Sequence, residues 1–118
     1  MAGVVHIPWY ATIFRGDKLA EAVAEIAALA PRYGATRYAV HRSRDDAYRI
    51  TQMVWFESKL DWERYWDGPE LRAMRTNCMG WYQVPVVYAW HDELADETVS
   101  VAAEPPSPSP SSPSPAAA

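Results

Sequence analysis

The order in which two periodicities alternate along the chain restricts its fold more than any other feature. Val4 to Phe14 (VVHIPWYATIF), Ala35 to Arg42, Tyr48 to Glu57 and Val84 to Trp90 are rich in β-branched and aromatic residues and read as strands. In the first, Ile7, Trp9, Ala11 and Ile13 share one face, while His6, Tyr10, Thr12 and Phe14 share the other. Pro8 cannot donate to a ladder and predicts an edge position or a bulge. Between the first two strands, Leu19, Val23, Ile26, Ala27 and Ala30 recur at helical spacing, with Asp17 as the expected N-cap and Pro31 and Gly34 as the stop. Ser43 to Ala47 is a polar turn, so the second and third strands form an antiparallel hairpin with a loop longer than the two-residue minimum. Ser58-Lys59-Leu60-Asp61 opens a second helix as a variant capping box, with Trp62, Tyr65 and Trp66 on its apolar face. Asp67-Gly68 interrupts it, and Pro69 restarts it through about Cys78.

The resulting order, βαββαβ, specifies an α+β ferredoxin-like domain: an antiparallel four-stranded sheet with two helices on one face. The uncovered face carries Tyr10 and Phe14, and either Tyr38 and Val40 or the opposite set of the second strand. Such a face is too apolar to leave wet. A homodimer that packs sheet against sheet is the economical solution.

The folding unit is expected over residues 1–94. Residues 95–118 form an acidic and then Pro/Ser-rich tail that cannot bury enough surface to offset the entropy of ordering, so disorder is expected there. All the tryptophans, tyrosines and phenylalanines fall before that tail. The net charge of −4 divides unevenly. Through His91 the body holds one more basic than acidic residue, and from Asp92 onward there are five acids and no base. No basic stripe survives this division, which argues against a nucleic-acid partner. Cys78 is the single cysteine, which rules out an intrachain disulfide and any multi-cysteine metal site and suits a reducing compartment. No apolar run approaches the length of a membrane span, and the N-terminus lacks a signal-peptide pattern, so no membrane partner and a cytoplasmic location are expected.

Two segments carry a resemblance. Tyr38-Ala39-Val40-His41-Arg42-Ser43-Arg44-Asp45-Asp46 is similar to the second strand and turn of the antibiotic biosynthesis monooxygenase-like family. So is Trp55-Phe56-Glu57-Ser58, followed by Trp62, Tyr65 and then Pro69-Glu70-Leu71-Arg72. The resemblance spans about Val4 to Glu93 and implies a dimeric α/β barrel, with the two sheets facing and the helices outside. Its haem-degrading branch resembles itself in an Asn on the first strand, a Trp early in the second helix and a His ten residues later. The corresponding positions here are Trp9, Tyr65 and Arg75, none of which matches, so no axial ligand for haem iron is in place.

Members that oxidise without a cofactor need an apolar pocket, a base or acceptor, and donors for a developing oxyanion. The resemblance therefore implies a cofactor-independent monooxygenase acting with O₂ on a phenol, quinol or anthrone. The walls would come from Trp9, Trp62, Tyr65, Trp66 and Met74, which suit a small flat aromatic ligand, although large aromatics are more often simply core. His6 is the first choice of base despite pointing away from Trp9, and Arg75 could hold a phenolate or carboxylate. An ion pair with Glu70 or Glu63 is the commoner fate of such an arginine. His6, His41 and His91 show no metal spacing, and no glycine-rich phosphate loop or nucleophile elbow is present, so neither a metal nor a cofactor is expected. The rival reading is a non-catalytic dimeric barrel that binds a flat hydrophobic ligand or serves as an assembly partner. An isomerase or cyclase on the same pocket is a third.

Overall fold

In the computed structural model, which describes residues 2–101, the chain alternates strands and helices in the expected order. Strand β1 (Gly3–Tyr10) leads into helix α1 (Gly16–Ala27) and a single 3-10 turn over Ala30–Tyr33. Strands β2 (Ala35–Arg42) and β3 (Arg49–Phe56) follow, then helices α2 (Lys59–Trp66) and α3 (Pro69–Asn77), and a short strand β4 (Ala89–His91). The four strands pair antiparallel in the order β2-β3-β1-β4, the ferredoxin-like arrangement. No helix among the described residues is long and apolar enough to cross a membrane. Most of the expected tail, residues 102–118, lies outside the described residues.

The local reasons for these elements are visible. Leu19, Val23, Ile26 and Ala27 bury one stripe of α1 against the sheet. Gly34 stops the 3-10 turn with φ +96°, a left-handed conformation that suits glycine. The Ser58 hydroxyl accepts from the Asp61 N–H at 3.2 Å and caps α2 as expected, and Pro69 opens α3. On β3, Ile50, Gln52, Val54 and Phe56 face the helices. Their pairing partners on β2 place Val40 and Tyr38 on that same side, so the opposite set, Arg37, Ala39 and His41, lies on the open face.

Four expectations are corrected. Strand β1 ends at Tyr10, and Ile13 and Phe14 are 69% and 86% exposed rather than divided between core and open face. After a bridge between Ala11 and Tyr82 the chain leaves the ladder and turns at Phe14, whose φ is +67°. Asp17 does not cap α1. The helix begins at Gly16 without a side-chain cap, and Asp17 instead binds Arg42 at 2.8 Å. The fourth strand is confined to Ala89–His91, because Val84 to Tyr88 form no ladder and Pro85 has no N–H to contribute. Pro8 sits on a central strand, which it tolerates because β4 pairs only with Val4, Val5 and His6.

The open face is mixed rather than uniformly apolar. Val4, Met53 and Ala39 are interrupted by His6, His41 and His91. At its end the chain beyond β4 returns over the sheet. Glu93 accepts a hydrogen bond from the Trp55 indole, and Asp96 pairs with Arg37, whose guanidinium lies 4.3 Å from the Trp55 ring.

Candidate functional site

The space between sheet and helices is occupied by aromatic side chains from three elements. Trp9 projects from β1, and Trp62, Tyr65 and Trp66 from successive turns of α2. Trp62 and Trp66 are neighbours along the helix, with ring centres 5.3 Å apart. Tyr88, from the segment before β4, closes against both, at 5.0 Å from Trp62 and 4.9 Å from Trp66. Tyr82 meets Trp9 edge to face at 5.0 Å, in the geometry ring quadrupoles favour.

A chain of hydrogen bonds runs through this cluster. The Trp9 indole N–H donates to Gln52 Oε1 at 2.9 Å, Gln52 Nε2 donates to the Tyr65 hydroxyl at 2.9 Å, and that hydroxyl donates to the Ile26 carbonyl at 2.6 Å. Gln52 has no exposed surface, and the chain satisfies its side-chain oxygen and one amide N–H. Burial pushes the Tyr65 phenol well above its ordinary value, so it stays protonated and cannot serve as a base.

Trp9 is 0%, Trp62 2% and Tyr65 1% exposed, so these three fill the volume that a ligand between sheet and helices would need. The accessible part of the cluster is its outer edge: half-buried Trp66, exposed Tyr88 and Arg75 on α3. The Arg75 guanidinium lies over the Trp66 ring at 4.3 Å, and its Nη1–H donates to the Trp66 carbonyl at 2.9 Å. Arg75 makes no ion pair with Glu70 or Glu63. Glu70 instead accepts from the Tyr33 hydroxyl at 2.5 Å and faces Arg32 at 3.9 Å. That hydrogen bond lowers the Glu70 carboxyl and raises the Tyr33 phenol from their ordinary values.

The remaining expected residues lie elsewhere. His6 is on the open face, across the sheet from Arg75, with its ring centre 4.0 Å from that of His91. Partial burial, and then the His91 charge, hold the His6 imidazole below its ordinary value, while Glu93 opposes the shift. Met74 contributes to a groove of about 300 Å³ between α1 and α3, away from the aromatic edge. Cys78 is buried beside it, and burial raises its thiol, as its packed role requires. Among the described residues no group of three or more His, Cys, Asp or Glu could hold a metal ion. Sequence reasoning did not single out Gln52, Tyr82 or Tyr88. The signal for Gln52 was available, since it is the one polar residue in the buried alternation of β3.

No family model matches the chain, and no curated protein sequence matches it. Solved structures do. A candidate antibiotic biosynthesis monooxygenase from Nitrosomonas europaea superposes with a TM-score of 0.71 at 16% identity, covering 79% of this chain and 90% of that one. Rv0793 from Mycobacterium tuberculosis gives 0.71 at 12% identity, covering 83% and 100%. A variant of SnoaB, a cofactor-independent oxygenase from Streptomyces nogalater, gives 0.68 at 12% identity, covering 80% and 95%. The fold is therefore that of the antibiotic biosynthesis monooxygenase-like proteins.

Proposed function

We propose that this chain is a cofactor-independent oxygenase for an acidic aromatic substrate of the phenol, quinol or anthrone type, bound at the edge formed by Trp66, Tyr88 and Arg75. The observation that carries this reading is the guanidinium of Arg75 held over Trp66 and tied to its carbonyl, next to an exposed aromatic ring. A flat ring can stack there while the remaining donors of Arg75 favour its ionised form. The substrate releases its proton to solvent at the open edge, its anion gives one electron to O₂, and the radical pair recombines at carbon as a peroxide that takes a proton back from solvent to become the hydroperoxide. Loss of water then leaves a carbonyl: an anthrone CH₂ and O₂ become C=O and H₂O, and in a phenol or quinol the ring C–H and the phenolic O–H supply the same two hydrogens, with the substrate as the only reductant. His6 is on the opposite face and does not form an acid–base pair with Arg75. It belongs to the face on which a second copy is proposed to pack, sheet against sheet. The single cysteine fits a cytoplasmic location.

The test is oxygen uptake by metal-free protein with a panel of quinols and an anthrone. Uptake with quinone formation is expected, falling about tenfold or more in Arg75→Met. Binding of those ligands without uptake would sink the oxygenase and leave the second reading, a non-catalytic aromatic-binding barrel. The complete filling of the core by Trp9, Trp62 and Tyr65 favours that alternative.

A further inference from the structure

Beside the aromatic edge, Arg72, Arg75, Thr76, Met79 and Tyr82 line an open depression of about 400 Å³. The first four lie on α3 or just past its end at positions that share one helix face, and Tyr82 returns from the following segment. Every polar side chain in this lining can donate a hydrogen bond, and none is a carboxylate. Arg72 and Arg75, three residues apart, repel one another, and neither has an acidic partner within ion-pair distance among the described residues. The dipole at the end of α3 accounts for a cation in the last turn. It does not account for two arginines and two hydroxyls converging where no acid is present. The Tyr82 hydroxyl is loosely engaged, with a 3.5 Å hydrogen bond to the Arg75 carbonyl, and its ring packs on Trp9. Arg75 belongs to both places, stacked on Trp66 and lining the depression.

We infer that this depression is a carboxylate subsite, and that the ligand is an aromatic acid whose ring stacks at Trp66 and Tyr88 while its carboxylate is held between Arg72 and Arg75, with Thr76 donating alongside. The inference rests on the aromatic-site reading above and narrows its substrate class. Arg72 is exposed and its guanidinium makes no hydrogen bond or ion pair to another described residue, while its backbone N–H bonds Gly68 within the helix, so Arg72→Gln removes the charge without disturbing the fold.

Calorimetric titration of the full chain with a hydroxynaphthoate and with the matching naphthol separates the two claims. The acid is expected to bind about five- to tenfold more tightly than the naphthol, an advantage that a charge-assisted pair supplies at a partly exposed site. Arg72→Gln should abolish that advantage and leave naphthol binding unchanged. Arg64→Gln, which removes an ion-paired arginine outside the depression, should leave both unchanged. Equal binding of acid and naphthol would overturn the carboxylate subsite while keeping the aromatic edge. Failure of both ligands to bind would overturn both readings. An advantage that survives Arg72→Gln, or that Arg64→Gln weakens equally, would show general charge attraction and overturn the subsite.

Discussion

An indole N–H can only donate, so Gln52 Oε1 must face Trp9, and its amide nitrogen is left to donate to Tyr65. Gln52→Leu keeps the volume but strands the Trp9 N–H in the core. A loss of about 1–3 kcal/mol is expected, read from the urea midpoint at unchanged slope. His6 makes a second residue-scale prediction. Its folded-state value lies below the ordinary 6.5, so the unfolded chain binds the proton more tightly between the two values. Stability is then fully present above the ordinary value and is lost as pH falls below it, toward the folded value. Urea midpoints should drop between about pH 7 and about pH 5, and His6→Gln should flatten that dependence. An unchanged pH profile in the variant would contradict the assignment. The direction of His6 was legible from the alternation of β1, whereas its stacking on His91 depends on a pairing that the sequence does not disclose.

Helix α2 divides its aromatic residues between core and edge. Trp62 and Tyr65 are sealed, whereas Trp66 faces outward enough to carry Arg75. Trp9→Ala should cost about 3–5 kcal/mol, and Trp66→Ala clearly less, because solvent already reaches that ring and no sealed cavity forms. Thermal unfolding of the two variants side by side checks the ranking, and equal losses would return Trp66 to the core. Periodicity located α2 and the Ser58 cap because both signals are local. It overextended β4, because Val-Pro-Val-Val-Tyr has strand composition but runs past β1 where Pro8 and Pro85 leave no regular ladder. The contribution of Tyr88 was invisible for the same reason. It reaches Trp62 and Trp66 from an irregular segment that no period describes.

At the scale of the whole molecule, topology followed from element order alone, because four strands and the helical segments between them close in few ways in this order. The candidate site was legible in composition but not in arrangement: its tryptophans and Arg75 were identifiable, while the closure of the core around Trp9 depends on packing in three dimensions. The open face keeps Met53 half-buried at its centre. If two copies meet there, Met53→Lys should shift the chain to a monomer on size exclusion while its far-UV circular dichroism stays unchanged. A variant that elutes as the parent would place any assembly elsewhere. Gln52 has one more effect, on which strand alignments are permitted. Sliding β3 by a single residue against β1 would turn Gln52 to the open side and leave both the Trp9 indole and the Tyr65 hydroxyl without it. A purely aliphatic β3 would carry no such penalty. One amide thus serves as the reading-frame mark of the sheet, telling a correctly aligned chain from one that is merely collapsed.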